Sequence, residues 1–356
     1  MNSLVAVFGA PTPFTHALHE LGHGMVSVLL GIPTHAHVND FETMQNAWAN
    51  AATAEGRNLF MVSEAPKAAL SNLFIRARVK SIIAIEPFDA LVAHLKSSQS
   101  LDFVSAVRRA SLYGSLMHDL ACSPSSLLIT HQWLNRDLMR VISEMAEFLG
   151  LACTPDDSQA ILTLLLGDAA SVVSLRDYII RKFPDSRAIL VADRGLTSWE
   201  HRTLKATSHG YDTLQQGERI QQVEWNTAFF INHDQAHKSL AEPIDLIGPP
   251  RIVIFGPYLH LPEGEWEAEI DFKVTESYSK NELMIDALVF LDGNNLSNPR
   301  INFQLPESGR FKIHLKFQNT PVIASLQIRF HLTTGAIEGV FELSRVVVRR
   351  INVPPS

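Results

Sequence analysis

Cysteine is nearly absent from this chain. Cys122 and Cys153 are the two among 356 residues, too few for a disulfide framework or a thiolate zinc cluster, so reduced thiols in a cytoplasmic protein are expected. Long apolar runs are missing too. The longest, such as MVSVLLGI and AILTLLLG, fall far short of the ~20 residues that span a bilayer. Basic residues are not in excess: 30 Lys and Arg stand against 37 Asp and Glu, a net charge of −7. No general attraction to nucleic acid or to an anionic membrane is therefore expected. No Lys or Arg precedes Arg57, so the N-terminus lacks the basic segment of a secretory signal, and the expectation is a soluble intracellular chain.

What the chain does have is apolar material. Hydrophobic residues make up 46% and charged residues 19%, enough to bury a core and to exclude disorder as the main state. At ~150 residues per domain the length suggests two domains. In the first two-thirds, short apolar runs alternate with segments of helical period. Leu4–Phe8, Asn58–Ser63, Lys80–Ile85, Ser126–Thr130 and Ala188–Ala192 read as buried strands without polar alternation, which is what a parallel sheet covered on both faces requires. Helices are expected from about Thr15 to Leu30 and through Leu138, Val141, Ile142, Met145 and Leu149, the latter ended by Gly150. The last hundred residues change in kind. Trp266, Ala268, Ile270, Phe272 and Val274 alternate with charged residues, as do Phe311, Ile313, Leu315 and Phe317, and then Leu326, Ile328, Phe330 and Leu332. Period-2 alternation with Gly and Pro turns predicts an antiparallel β-sandwich. The expected division is an α/β domain over 1–230, a linker over 231–248 and a sandwich over 249–356.

His19-Glu20-Leu21-Gly22-His23 is a literal HExxH. On a helix its histidines share one face and could hold zinc, with Glu20 as base for a bound water. The string resembles the zinc helix of membrane-embedded metalloproteases, but those need several spanning helices. His16, His35 and His37 lie close in sequence, and Glu42 is the nearby carboxylate with a claim to be a third ligand. The metal expectation is none, with His19 and His23 as the alternative. Polar residues following candidate strands, the position where open α/β sheets bind ligands, are Glu64 and Lys67, Glu86 and Asp89, and Asp193 and Arg194 before Gly195.

The order of the pieces resembles the sulfotransferase fold, a parallel sheet of the P-loop-NTPase type with helices. The segment from Leu4 to His16 is similar to that family's first strand and phosphosulfate loop, G-x-P-R-S-G-T-T. Lys80 to His94 is similar to its second landmark, R-x-P-x-D-x-x-x-S, and Met145 to Leu151 to its "A-x-F-L-G-L" helix end. The resemblance covers roughly the first 155 residues. It implies a cofactor loop at Pro11, Thr12, Thr15 and His16, and 3′-phosphoadenylyl sulfate as cofactor if activity persists. The departures fall on the contacts themselves. The loop's Arg falls on Thr12, its Ser on Pro13, its second Gly on Phe14 and its second Thr on His16, while Gly9, Pro11 and Thr15 match. In the second landmark Arg falls on Ile85 and Ser on Ala93. A phosphate cradle needs free backbone N–H groups and close approach; Pro13 has no N–H and Phe14 brings a ring.

The segment from Ile244 to Trp266 resembles the carbohydrate-binding-type sandwich attached to bacterial sulfotransferase-like and glycosyltransferase-like proteins. Tyr258 is then the candidate sugar contact, while Trp266 shares an apolar face with Ile270 and Phe272 and is expected in the core. The resulting expectation is a degenerate sulfotransferase-like protein with no cofactor, acting as a binding or accessory factor beside glycan-modifying enzymes. The alternatives are an active sulfotransferase with anion contacts moved to Arg76, Arg78, Lys80, Arg108 and Arg109, and a zinc hydrolase.

Overall fold

The computed structural model describes residues 3–53, 58–167, 174–186, 195–235, 240, 242–291, 294–297 and 299–351. The chain groups into two compact units: Met1–Leu101, Leu116–Leu196 and Thr213–Arg219 form the first, and Asp102–Ser115, Thr197–Asp212 and Ile220–Ser356 the second.

Among the described residues the first unit is built on five strands: β1 (Ser3–Gly9), β2 (Thr34–His37), β3 (Asn58–Ser63), β4 (Ser81–Ile85) and β5 (Ser126–Thr130). They pair in the order β2-β3-β1-β4-β5, every pair parallel. β3 and β4 are buried at every residue, so their sequences carry no polar alternation. The expected strands at 4–8, 58–63, 80–85 and 126–130 are present, and the one expected at 188–192 lies outside the described residues. β2 was not expected. Its sequence, Thr-His-Ala-His, belongs to a sheet edge where one side of the ladder is wet.

Helices join these strands: α1 (Pro13–Leu30), α2 (Phe41–Thr53), α3 (Ala68–Arg76) and α4 (Phe88–Ser98), followed by α5 (Phe103–Ala121), which belongs to the second unit as far as Ser115, α6 (Leu138–Leu149), α7 (Pro155–Leu166) and α8 (Leu175–Lys182). α1 lays Phe14, Leu18, Leu21 and Met25 into a core with Val5, Val7, Phe60, Ile82, Ile142 and Met145. α6 ends where expected, with Gly150 in the left-handed conformation at φ 78°, which glycine adopts without a Cβ penalty.

Among the described residues the second unit carries α9 (Ser198–Asp212) and eleven strands: β6 (Gln222–Trp225), β7 (Ile231–Asn232), β8 (Ile244–Asp245), β9 (Arg251–Leu259), β10 (Gly264–Thr275), β11 (Glu282–Leu291), β12 (Asn294–Ser297), β13 (Arg300–Gln304), β14 (Gly309–Asn319), β15 (Ser325–Leu332) and β16 (Val340–Ile351). One sheet runs β14-β10-β16-β6 with β8 on β16; the other runs β12-β11-β15-β9-β7 with β13 on β11. All pairs are antiparallel. The alternating segments predicted from sequence face one another in register, Trp266 opposite Phe317, Ala268 opposite Leu315 and Ile270 opposite Ile313. Phe330 of one sheet meets Phe341 of the other at 5.4 Å between ring centroids, so the two apolar faces close on each other as a sandwich. Within the segment 231–248, expected to be a linker, β7 pairs with β9 and β8 with β16, and Leu240, Ile244 and Leu246 are buried.

The fold class is therefore α/β with a parallel sheet, followed by an antiparallel β-sandwich. Among the described residues no helix is long and apolar enough to cross a membrane.

Candidate functional site

Strand order locates the site of the first unit. β1 lies between β3 and β4. From the carboxyl end of β1 the chain leaves through α1 towards β2 on one side, and from β4 it leaves towards β5 on the other. Open parallel sheets bind ligands outside the carboxyl ends of strands at such a switch point. The residues that stand there are the β1–α1 turn, Glu64 after β3, and Glu86 after β4.

The β1–α1 turn is closed on itself. Thr12 is the N-cap of α1, and its Oγ1 accepts from the Thr15 backbone N–H at 3.2 Å. The His16 N–H goes to the Thr12 carbonyl at 2.9 Å, and Pro13, in the first helical turn, has no N–H. Thr12 and Thr15 are fully buried and Phe14 is 1% exposed. Gly9 is fixed by contact: a Cβ there would lie 2.5 Å from Thr15 Oγ1 and 2.8 Å from the Ala84 Cβ. His94 of α4 is bonded to the Pro11 carbonyl, yet burial holds its imidazole below the ordinary pKa.

Histidine and carboxylate line this end of the sheet. His16 Nε2 and Glu64 Oε1 are 2.8 Å apart, and His37 Nε2 is 3.8 Å from Glu64 Oε2. The hydrogen bond from His16 holds Glu64 below the usual carboxylate range, against the opposing effect of burial. His131 Nε2 lies 3.4 Å from Glu86 Oε1, and Glu86 Oε2 is buried without a partner among the described residues. Lys67 is the cation of the β3 loop, and it is bound to Asp40 at 3.1 Å.

The histidine motif lies further along α1. His19, Glu20, His23 and His35 line a cavity of about 300 Å³ together with Leu164, Leu165 and Lys182. Glu20 is engaged there, accepting from Tyr178 Oη at 3.0 Å and pairing with Lys182 Nζ at 3.2 Å. The His23 and His35 rings lie 5.4 Å apart. His19 is pushed down to about 3, first by burial and then by His16, so it is a neutral imidazole at physiological pH. Glu42 is exposed in the first turn of α2. Among the described residues, no three of His, Cys, Asp and Glu come together as ligands of a metal ion would.

The relocated cations expected as an alternative are dispersed. Arg76, Arg78 and Lys80 are exposed between α3 and the start of β4. That is the amino end of β4, opposite the switch point. Arg109 is exposed on α5. Asp193 and Arg194 lie outside the described residues.

In the second unit Trp266 is fully buried and donates Nε1–H to the Pro262 carbonyl at 3.0 Å, which makes it a core residue. Tyr258 is half-buried in β9 with φ 64°. The Arg108 guanidinium lies 4.7 Å from its ring centroid, a pairing between residues 150 positions apart that no sequence pattern could have revealed.

No protein-family model matches the chain, and no curated protein matches it. Similar solved structures include the mouse sulfotransferase SULT7A1 complexed with PAP, at 12% identity and TM-score 0.37, over 60% of this chain and 82% of that one. They also include a family 16 carbohydrate-binding module, at 12% identity and TM-score 0.22, over 31% and 79%. A third is the xylan-binding module CBM15, at 10% identity and TM-score 0.21, over 32% and 99%. These scores are too low for any property of those proteins to transfer.

Proposed function

We propose that this chain is a degenerate sulfotransferase-like protein that serves, without a nucleotide cofactor, as a binding or accessory factor in polysaccharide or glycan modification. The observation that carries the reading is the β1–α1 turn. The N–H is absent at Pro13 and those of Thr15 and His16 are committed to Thr12, and the loops after β1 and β3 offer one cation, Lys67, already bound to Asp40. A donor nucleotide with several anionic groups needs neutralising partners; carboxylates Glu64 and Glu86 would repel it. Cys122 and Cys153, neither of them in a disulfide, accord with work in the cytoplasm. The expected partners are a glycan or the enzymes that modify it, reached through the sandwich.

Titration of the full chain with adenosine 3′,5′-bisphosphate tests the reading. The expected result is no saturable heat and no thermal shift. Stoichiometric binding at micromolar concentration would overturn the degenerate site and favour an active transferase.

A further inference from the structure

We propose that Arg108, Tyr258 and Arg329 form a binding site for an acidic glycan, taking the sulfate or carboxylate group of the sugar; this deepens the glycan-accessory reading above and rests on it.

The site begins with an irregularity in the sheet. β15 pairs with β9 so that Leu326 faces Leu259 and Gln327 faces Pro257, which leaves Tyr258 as the extra residue of a β-bulge. Its φ of 64° belongs to the left-handed region, where a bulky side chain is a genuine outlier and where such bulges ordinarily place glycine. Bulges re-aim side chains and concentrate beside functional sites. Here the strained position holds a phenol.

One guanidinium group lies over that phenol and a second stands on the paired strand β15. Arg108 lies over the ring at 4.7 Å and donates Nε–H to the Pro257 carbonyl at 2.8 Å. Its Nη2 is buried and has no hydrogen-bond partner among the described residues. No carboxylate of those residues lies within ion-pair distance of Arg108; Asp102, bonded to Ser105, acts on it at longer range. The second cation, Arg329, is held differently. Its Nε donates to Asp286 Oδ1 at 2.8 Å and its Nη2 to Asp286 Oδ2, a two-point fork that fixes the guanidinium plane. His331 Nε2 stands 3.4 Å from the same Oδ1. Asp286 is 1% exposed; burial opposes its ionisation, and the nearby His331 and the Arg329 fork outweigh that and hold it low. Burial raises the Tyr258 phenol, while Arg108 and Arg329 both act in the opposite sense.

These side chains lie on the sheet face that does not pack into the sandwich core. Ile285, Ala287, Ile328 and Phe330 are fully buried in the sandwich core, and strand alternation puts Asp286, Arg329 and His331 on the opposite side of the same sheet. Asp286 offsets Arg329, so Arg108 is the cation without an ion-pair partner among the described residues, with an unused donor on the guanidinium that covers the Tyr258 ring. Planar guanidinium donors match the paired oxygens of a sulfate or carboxylate, which a neutral sugar lacks.

The test is calorimetric titration of the full chain with a sulfated galactan oligosaccharide, an oligogalacturonate and cellohexaose. Binding of one or both acidic sugars at least tenfold tighter than cellohexaose, weakening as NaCl rises, is expected. The comparison between them identifies sulfate or carboxylate as the recognised group. Arg108→Gln should weaken that binding at least tenfold and Tyr258→Phe less, while Arg108→Lys should retain part of it. The comparison among sugars needs no variant, so it decides the matter even if Arg108→Gln fails to fold. Equal affinity for all three sugars, or acidic-sugar binding unchanged by a folded Arg108→Gln protein, would overturn the anion site while leaving the glycan reading standing. Absence of binding to every sugar would overturn both.

Discussion

At the scale of single residues, the histidines of α1 give the sharpest expectation. Folding depresses His19 to about 3 from an ordinary value near 6.5. Between those values the unfolded chain binds a proton that the folded chain does not. The stability contributed by neutral His19 is therefore present above pH 6.5 and is lost as pH falls towards 3, at up to about 1.4 kcal/mol per pH unit. His260 in the second unit, pushed down to about 4 by burial, acts in the same direction. Urea denaturation at pH 7 and pH 5 should show a loss of about 1–2 kcal/mol in the first unit, and His19→Gln should remove most of it. The same loss in the variant would show that His19 is not the group responsible. A second substitution probes the turn. Gly9→Ala places a methyl group 2.5 Å from Thr15 Oγ1 and 2.8 Å from the Ala84 Cβ, and overpacking of that kind costs about 1–3 kcal/mol; a denaturation midpoint unchanged from the parent would contradict it. HExxH is visible in the sequence as a pattern, but nothing in the pattern reveals that Glu20 is taken up by Tyr178 and Lys182, residues more than 150 positions away.

At the scale of elements, legibility follows burial. β1, β3, β4 and β5 could be found because covering both faces of a parallel sheet forces continuous apolar runs. β10, β14 and β15 could be found because a sandwich strand with one wet face must alternate. β2 escaped because an edge strand needs neither pattern. β11 escaped for a related reason: Glu282–Leu291 is nearly apolar throughout, and its one break in pattern, Asp286, is a buried ion pair rather than a solvent-facing charge. The first turn of α1 shows the opposite case, where reading residues against a motif located the turn but not the packing inside it. Replacing Thr12, Pro13 and Phe14 by Arg, Ser and Gly would restore the motif's residue types. It would also remove the Thr12 cap, worth about 1 kcal/mol, and empty the space of Phe14, which is 1% exposed, at about 3–5 kcal/mol. The triple variant should thus melt well below the parent and still fail to bind adenosine 3′,5′-bisphosphate, since Ile85 and Ala93 are unchanged. Calorimetric binding by this variant would show that the second landmark was never limiting.

At the scale of the whole chain, the open matter is where the sandwich begins as a folding unit. Composition changes near Ile244, and the inner-face residues Trp266, Ile270, Phe272, Leu315, Phe317, Ile328 and Phe330 are all buried. Judged by those side chains alone, 245–356 is large enough for a sandwich. The pairing reaches further back. β6 covers Val346–Arg349 of β16, and Ile220, Val223, Trp225, Phe229, Phe230 and Leu240 are buried in the same unit. At about 1.5–3 kcal/mol for each large apolar side chain, that contribution is comparable with the whole stability of a typical domain, about 5–15 kcal/mol. α9 adds to it: Gly210 packs against the Gln222 carbonyl with no space for a Cβ, and Tyr211 Oη donates to the His260 carbonyl at 2.6 Å. A fragment 197–356 should therefore give a cooperative melt and a β-type circular dichroism spectrum, whereas 245–356 should be unfolded or aggregate, with the β16 edge open to strand pairing. If 245–356 instead melts cooperatively within a few degrees of 197–356, then β6 and α9 are appended to a sandwich already stable without them, and the boundary belongs at 231–248.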